Sequence, residues 1–407
     1  MCITKLRGMN FPSLEEQMSV LMRGVQEVVP KEEFAKKIQK SIDTGTPLRI
    51  KFGVDPTAPD VHFGHTVVMR KLRQFQDLGH QAVLIVGDYT AMIGDPSGRN
   101  KTRPRLSHEQ VMENAKEYQE QFFKIAKREK TEIRYNGEWL SKLSFEEITD
   151  LMGSITVAQM LERKDFQTRY AEGQPISLHE FLYPLMQGYD SIAVESDIEI
   201  GGTDQKFNVL RGRELQLRES MESQVGLFMP ILLGTDGEQK MSKSLGNYVG
   251  VNESADVMFH KIYNIADSLA ESWFELLTVK PKAEYDELLK KDILLAKRIL
   301  ALDVVSQYHG SAAAEEAAER EKAIHSGNEL PSDTSVIKLS LGNYNLLNLL
   351  VSIGAFASKG EARRMIQNSG VKINGNTATN PNDEISVGTA SEIIVKVGKR
   401  KFYKVIS

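Results

Sequence analysis

The sequence predicts an α/β fold with a parallel sheet, followed by a helical region and a small α+β tail. Two apolar runs without polar alternation, at 49–54 and 81–87, are typical of parallel strands covered on both faces. The segment between them, 63–78, carries apolar residues at helical spacing. Strand, helix and strand in this order make a right-handed βαβ unit, whose ligand edge lies at the carboxyl ends of the strands.

The composition is that of a globular chain with room for two or three domains. Of its 407 residues 41% are hydrophobic and 26% charged, and no apolar run reaches the ~18–20 residues that span a bilayer. The single cysteine, Cys2, excludes disulfides, thiolate zinc sites and a buried catalytic thiol. We therefore expect a cytoplasmic protein with no membrane partner and no protein-bound metal.

The remaining elements follow from caps, breakers and apolar spacing. Ser13 and Glu16 have capping-box spacing, which predicts a helix through about Glu27, and Pro30 begins a second helix. Beyond the βαβ unit the sequence predicts helix 107–126, strand 132–135, a helical insertion at about 144–191, strand 197–200, helix 205–220 and strand 225–232.

Four segments emerge from this pass along the chain. They are a sheet domain with N-terminal helices at 1–247, a helical domain at 248–325, a linker at 326–340 and the tail domain at 341–407. In the tail we predict two short helices, 345–353 and 358–367, and a hairpin at Asn374–Gly375.

The tail is basic although the whole chain is acidic. It has nine Lys or Arg against four Asp or Glu, a net of +5, while the full chain carries −4. This asymmetry favours a polyanionic partner for the tail, although chance variation between domains would also produce it.

The loop DPTAPDVHFGH, residues 55–65, leaves the first strand at the predicted ligand edge. A strand-to-helix turn directs backbone N–H groups and a helix dipole to one point, which suits a phosphate. His62 and His65 add side-chain donors, and Gly64 leaves the backbone open to a nucleotide. Two ordinary surface histidines are the alternative. A metal site is disfavoured because no third ligand or HExxH helix accompanies them.

Three further patterns carry polar chemistry. Lys240 and Lys243 in KMSKS, bracketed by Gly237 and Gly246, could close over a polyphosphate, although the segment could equally be a surface turn. Tyr183, Gln187 and Asp190 share one helix face, and the alternative for them is the exposed polar face of that helix. GGTDQ at 201–205 follows a strand, and the alternative for this segment is a turn capped by Thr203.

Together, HFGH at 62–65 and KMSKS at 240–244 resemble the signature motifs of class I aminoacyl-tRNA synthetases. The segments FGVDPTAPDVHFGH, TAMIGDPSGR, YPLMQGYDS and EIGGTDQKFN are similar to those of bacterial tyrosyl-tRNA synthetases. The tail sequence SKGEARRMIQNSGVKINGN resembles the S4-type RNA-binding domain of these enzymes. The resemblance runs from about Leu48 to the end, and implies a Rossmann-like catalytic domain and an S4-like tail.

The resemblance also implies roles for single residues. The implied tyrosine site consists of Asp55, Asp95, Tyr183, Gln187, Asp190 and Gln205, with Asp95 and Tyr183 near the ammonium and Asp190 accepting from the phenol. The implied ATP contacts are Thr57, Gly64, Gly202, Asp204 and Lys243. Many members have a tyrosine four residues before the aspartate of the DPT motif, where it also contacts the phenol. This chain has Lys51 there, which resembles the second bacterial subtype and leaves the second phenol partner open.

The activity implied is that of a tyrosine–tRNA ligase. The tyrosine carboxylate attacks the α-phosphorus of ATP, releasing pyrophosphate, and tRNA(Tyr) then takes the tyrosyl group. The implied catalytic residues are His62, His65, Lys240 and Lys243, which stabilise charge on the phosphates, while Mg²⁺ arrives with ATP. The implied tRNA contacts in the tail are Arg363, Arg364, Lys372, Lys399, Arg400 and Lys401. The resemblance further implies a homodimer, with the helices near 144–167 in its interface.

Three other functions compete with this one. A tryptophanyl synthetase would share both motifs, but the Tyr183, Gln187 and Asp190 face and the tail disfavour it. A nucleotidyltransferase with an HxGH loop would be much shorter. An RNA-binding protein on a decayed synthetase scaffold is disfavoured because both histidines and both lysines are intact.

Overall fold

The computed structural model describes residues 11–57, 60–95, 107–326, 334–389, 392–398 and 401–407. It divides into two compact units. The first comprises the chain up to Asn252 together with Glu271–Tyr285, and the second comprises Glu253–Ala270 and Asp286–Ser407. No helix in these ranges is long and apolar enough to cross a bilayer.

The first unit is built on a six-stranded sheet with the order β1-β6-β5-β2-β3-β4. The strands are β1 (Glu27–Val29), β2 (Arg49–Val54), β3 (Gln81–Val86), β4 (Thr131–Tyr135), β5 (Ile198–Gly202) and β6 (Val225–Met229). All neighbours pair in parallel except β1, which runs antiparallel to β6. Strand β2 pairs with both β3 and β5, so the strand order reverses there, and ligands of open α/β sheets bind at such a point.

Ten helices of the first unit connect these strands. They are α1 (Leu14–Met22), α2 (Lys31–Thr44), α3 (Phe63–Asp77), α4 (His108–Phe122), α5 (Gly137–Leu140), α6 (Phe145–Met152), α7 (Val157–Met160), α8 (Lys164–Ala171), α9 (Leu182–Ala193) and α10 (Lys206–Arg218). Leu72 and Phe75 of α3 are fully buried, which confirms the apolar stripe predicted for 63–78. The helical insertion is also confirmed, as α6 to α9.

The prediction of one helix from Ser13 through about Glu27 is wrong at its end. Helix α1 stops at Met22, Gly24 takes a left-handed φ of +67°, and Glu27–Val29 then pairs with β6. Gly24 suits this backbone because it has no Cβ, and the two consecutive valines favour a strand. The capping box of Ser13 and Glu16 is present as predicted.

The helical region follows the sheet. It contains α11 (Ala255–Tyr263), α12 (Ala270–Leu277), α13 (Lys282–Lys291), α14 (Ile293–His309) and α15 (Ser311–Ser326). Helix α14 buries Leu300, Ala301, Val304 and Val305, and Asp292 caps it by accepting from two backbone N–H groups.

The tail folds around its own core. Its elements are β7 (Ser335–Lys338), β8 (Gly342–Asn345), α16 (Leu346–Ser352), α17 (Lys359–Gln367), β9 (Val371–Ile373), β10 (Asn376–Thr377), β11 (Glu384–Val387), β12 (Ile393–Val397) and β13 (Lys401–Ile406). Five strands form a sheet in the order β10-β9-β12-β13-β7, and β11 pairs with β8. Leu349, Leu350, Ile366 and Val395 are among the buried residues of this core.

Two local predictions for the tail have different outcomes. Asn374 and Gly375 both have positive φ, +47° and +82°, and join the antiparallel strands β9 and β10, as the Asn-Gly hairpin predicts. The segment 326–340 was predicted to be a linker, but Ser335–Lys338 pairs in parallel with β13. Backbone hydrogen bonds to β13 make this short, largely exposed segment a strand.

Candidate active site

The HFGH turn joins β2 to α3 and is tied to the segment after KMSKS. The backbone N–H of Phe63 donates to the Val249 carbonyl at 3.0 Å, and that of Val251 donates to the Val61 carbonyl at 3.0 Å. Main-chain hydrogen bonds therefore bring the two motifs, about 175 residues apart in the sequence, to one place.

The two histidines of the turn stack on each other, with ring centroids 3.9 Å apart. His62 is half-buried, whereas His65 is exposed. Desolvation by the surrounding protein lowers the pKa of His62 to about 3, with an added contribution from His65, and lowers the pKa of His65 to about 4. At pH 7 both imidazoles can donate a hydrogen bond to a phosphate without adding a positive charge.

The KMSKS loop supplies the charge that the histidines lack. Lys240 and Lys243 are exposed, and the Lys243 ammonium is paired with the Asp60 carboxylate, which raises the pKa of Lys243. Met241 is buried, and its Cβ lies 3.6 Å from the position that a Cβ on Gly64 would occupy. The loop thus rests on the HFGH turn through Met241 while both lysines face solvent.

Asn247 fixes the base of this loop. Its side chain accepts from the Ser242 N–H at 2.8 Å and donates to the Asp236 carboxylate at 2.7 Å. Gly237 and Gly246 have left-handed φ values of +78° and +67°. Glycine suits both positions because it has no Cβ to oppose a left-handed backbone.

At the carboxyl end of β2, Asp55 accepts two side-chain hydrogen bonds. One comes from the Tyr183 hydroxyl at 2.8 Å and one from the Thr90 hydroxyl at 2.7 Å. Burial and the negative charge of Asp55 raise the pKa of Tyr183 well above its usual value, so it donates at all physiological pH values. A Cβ on Gly87 would lie 2.0 Å from Asp55 Oδ1, so only glycine fits beside this carboxylate.

Asp95 is held by two further side chains. It accepts from Arg163 Nη2 at 3.0 Å and from Gln205 Nε2 at 2.9 Å. Asn208 links this group to Gln187, since its amide donates to Gln187 Oε1 at 2.8 Å and to Gln205 Oε1 at 3.2 Å. Asp95, Gln187 and Gln205 of the predicted tyrosine site therefore belong to one hydrogen-bond network, whereas Tyr183 donates to Asp55.

Asp190 is buried on α9 and accepts from two groups near the end of β4. Trp139 Nε1 donates to one carboxylate oxygen at 2.8 Å, and Asn136 Nδ2 donates to the other at 3.3 Å. Burial raises the pKa of Asp190 to about 7, and the nearby Lys51 charge and these two hydrogen bonds oppose that rise. Asp190 is thus an acceptor whose charge changes near neutral pH.

The residues predicted to contact ATP lie around the ends of β2 and β5. The Thr57 N–H donates to the Asp55 carbonyl at 2.7 Å. A Cβ on Gly202 would lie 2.5 Å from Asp204 Oδ1, so the backbone there is close to that carboxylate. Burial and the Asp95 charge raise the pKa of Asp204.

The predicted tRNA contacts are only partly described. Arg363 and Arg364 are exposed on α17, Lys372 is exposed on β9 and Lys401 is exposed on β13. Lys399 and Arg400 lie outside the described residues. Within the ranges that the structure covers, no cluster of three or more His, Cys, Asp or Glu could hold a metal ion.

Comparison with known proteins decides the family. A family model described as "tRNA synthetases class I (W and Y)" matches residues 43–326, and one described as "Tyrosine--tRNA ligase SYY-like C-terminal domain" matches residues 328–405. The tyrosine--tRNA ligase of Aquifex aeolicus is 49% identical and covers 97% of this chain and 99% of its own. The chain belongs to the tyrosine–tRNA ligases, a family of class I tRNA synthetases.

Two further relatives agree. The "Tyrosine--tRNA ligase 2" of Clostridium acetobutylicum is 45% identical over 97% of this chain and 99% of its own, in line with the predicted second subtype. A C-terminally truncated mitochondrial tyrosyl-tRNA synthetase from Coccidioides posadasii has a TM-score of 0.59 and 26% identity, covering 76% of this chain and 91% of its own. The predicted tyrosine–tRNA ligase activity, which uses ATP, is confirmed. The alternatives of a tryptophan ligase and a nucleotidyltransferase are therefore rejected.

Sequence reasoning missed the residues that support the site. Asn208 lies three positions after Gln205, and this helical spacing was an available signal. Asn136 directly follows β4, at the same edge as Asp55, which was another. Nothing in the sequence pointed to Arg163 or Glu199, because their roles depend on contacts 68 and 148 residues away.

Proposed function

We propose that the residues described above divide the ligase reaction between a tyrosine pocket and a phosphate clamp. The observation that carries this is the pair of hydrogen bonds Tyr183–Asp55, 2.8 Å, and Gln205–Asp95, 2.9 Å. They join two carboxylates and their donors at the point where the strand order reverses. Asp95, Tyr183 and Gln187 bind the tyrosine ammonium, and Asp190 accepts from the phenol.

In the first step the tyrosine carboxylate attacks the α-phosphorus of ATP, the bond to the β-phosphate oxygen breaks, and pyrophosphate leaves. A carboxylate is already a nucleophile at neutral pH, so the protein must position two anions and stabilise the leaving group. His62 and His65 donate hydrogen bonds, and Lys240 and Lys243 supply positive charge. Mg²⁺ enters with ATP as part of the substrate. Thr57, Gly64, Gly202 and Asp204 line the nucleotide site.

Lys243→Ala should slow tyrosine-dependent pyrophosphate exchange about 10²-fold, because the lost charge stabilises the transition state more than the bound substrates. The KM for tyrosine should change by less than about 3-fold. Lys36→Ala, which removes an exposed lysine of α2, is the matched control and should leave both parameters unchanged. If tyrosine binding weakens as much as the rate falls, Lys243 does not act through loop closure.

The tail holds tRNA in this proposal, as an S4-like RNA-binding domain. Supporting it, Arg363 and Arg364 project from α17, and Lys372 lies directly opposite Lys396 on neighbouring antiparallel strands. Like charges in this arrangement repel, so an anionic partner would relieve the repulsion. Contacts from such side chains recognise the phosphates and shape of an RNA stem.

We further propose that the chain works as a cytoplasmic homodimer, with helices α6–α8 of the insertion in the interface. The insertion leaves large apolar side chains in solvent: Phe145 of α6 is 84% exposed, and Leu178, between α8 and α9, is 80% exposed. Such side chains in one segment favour a protein partner.

Phe145→Glu combined with Leu178→Glu should shift the chain from dimer to monomer, measured by sedimentation equilibrium. Charged residues at these positions could not be buried against a second copy without a large desolvation cost. Val279→Glu is the control, because Val279 is 78% exposed and lies outside the insertion. A mass that stays dimeric in the double variant would place the interface elsewhere.

The experiment that tests the function is exchange of labelled pyrophosphate into ATP with tyrosine, tryptophan or phenylalanine. Exchange should require tyrosine. Exchange with tryptophan instead would assign the pocket to the other amino acid of the W and Y family.

A further inference from the structure

Lys51, four residues before Asp55, does not face the pocket as a free charge. It is on β2 beside Glu199 of β5, and the two residues are register partners in the parallel pair. The side chains of Lys51 and Glu199 are 0% and 2% exposed, and their charged atoms are 3.0 Å apart. The presence of a buried ion pair does not by itself show that the pair stabilises the fold. We therefore infer the role of this pair from its hydrogen bonds.

Most hydrogen bonds of the pair are made with residues of α9. The Lys51 ammonium donates to the Gln187 carbonyl at 2.7 Å and to the Ser191 hydroxyl at 2.8 Å. Glu199 accepts from Gln187 Nε2 at 3.1 Å, from Ser191 Oγ at 3.1 Å and from Gln224 Nε2 at 2.6 Å. The pair therefore holds both the backbone and the side chain of Gln187.

This arrangement selects one orientation of the Gln187 carboxamide. Its Nε2 faces Glu199, so its Oε1 faces Asn208, which donates to it at 2.8 Å. An amide oxygen accepts two hydrogen bonds, so Oε1 retains capacity for a substrate ammonium. Asn208 and Gln205 continue the network to Asp95.

We propose that the Lys51–Glu199 pair is a positioning device for the amino-acid site, which orients Gln187 and fixes the face of α9 that carries Asp190. The proposal rests on the proposed placement of Gln187 and Asp190 in the tyrosine pocket. Lys51 is then a positioning residue and not a second hydrogen-bond partner of the phenol. The Lys51–Glu199 pair in the sheet core thereby determines the geometry of this part of the pocket.

The two residues of the pair also shift the pKa of Asp190, in opposite directions. The charged groups that face Asp190 are Lys51 on β2 and Glu199 on β5; Tyr183, on its own helix, is a neutral phenol. Lys51 lowers the pKa of Asp190 and Glu199 raises it, while burial is the dominant cause of its rise to about 7. Removing Lys51 alone should raise this pKa further, and removing the Glu199 charge alone should lower it.

The test uses tyrosine-dependent pyrophosphate exchange in the full chain with Lys51→Met, Glu199→Gln and the double variant Lys51→Met/Glu199→Met. The double variant replaces the ion pair by two apolar side chains, which buried pairs often tolerate, and so guards against simple unfolding. Lys37→Met is the control, because Lys37 is a buried lysine paired with Glu222 that makes no contact with α9 among the described hydrogen bonds and ion pairs.

All three variants should raise the KM for tyrosine by at least about 10-fold and change the KM for ATP by less than about 3-fold. The control should change neither. The acid limb of kcat/KM for tyrosine should move to higher pH in Lys51→Met, to lower pH in Glu199→Gln, and stay near its original position in the double variant.

Two results would overturn the proposal. One is a folded double variant whose KM for tyrosine stays within about 3-fold of the original. The other is a pair of single variants whose acid limbs move in the same direction or not at all, since a purely structural role would not move them oppositely. Failure of the unchanged protein to exchange pyrophosphate with tyrosine would instead reject the proposed function.

Discussion

A chain that ends at residue 326 should form tyrosyl-adenylate at nearly the full rate and charge tRNA at least about 100-fold more slowly. The cut leaves α15 complete and removes residues 327–407, which contain the tail core and carry a net charge of +4. The residues proposed for adenylate formation all lie in the first unit, whereas the basic side chains proposed to bind RNA phosphates lie in the tail. Pyrophosphate exchange and aminoacylation, measured side by side, separate the two steps. The cut falls before β7 because Ser335–Lys338 pairs with β13.

A full-length variant tests the role of the tail in tRNA binding without deleting the tail. Arg363→Glu combined with Arg364→Glu should raise the KM for tRNA and reduce the salt dependence of binding, with adenylate formation unchanged. Lys31→Glu combined with Lys36→Glu on α2 reverses two exposed charges outside the tail and serves as the control. If the truncated chain charges tRNA as fast as the full chain, the tail has another role.

Asp190→Asn should lower kcat/KM for tyrosine about 30- to 1,000-fold, because breaking a buried hydrogen bond to a charged group costs about 2–4 kcal/mol. The kcat/KM for phenylalanine, which has no hydroxyl to donate, should change by less than about 3-fold. Asparagine keeps the size of the side chain, but its single oxygen can replace only one of the two carboxylate oxygens that accept from Trp139 and Asn136. A site built to bind a hydroxyl rejects the analogue that lacks it, a rule for which tyrosine–tRNA ligases are themselves the example. Equal losses for both amino acids would remove Asp190 from the phenol site.

The same residue predicts a pH dependence whose sign can be checked. The pKa of Asp190 is raised to about 7, so its carboxylate is charged above that pH and protonated below it. As the pH falls through 7 the charged acceptor is lost, and kcat/KM for tyrosine should fall with it. The profile for phenylalanine should lack this limb. His62 and His65, with pKa values of about 3 and 4, contribute no change between pH 5 and 8.

The sequence by itself determined the elements whose signals are local. The β2–α3–β3 unit follows from two continuous apolar runs around a helical stripe, and these signals need no distant contact. HFGH and KMSKS were recognisable by their resemblance to the class I signature motifs, and each follows a strand, where parallel sheets have their ligand edge. Helical spacing alone predicted that Tyr183, Gln187 and Asp190 share one face of a helix.

Only the tertiary structure decided which groups support those residues. Strand β1 forms because its backbone pairs with β6, and strand β7 forms because its backbone pairs with β13. Arg163 reaches Asp95 and Lys51 reaches Glu199 across 68 and 148 residues of sequence, so no local pattern carries either pair. A buried lysine and a buried glutamate each look unfavourable in a strand when taken alone. Together, in register on neighbouring strands, they compensate each other's charge and hold Gln187, which is a property of the folded sheet.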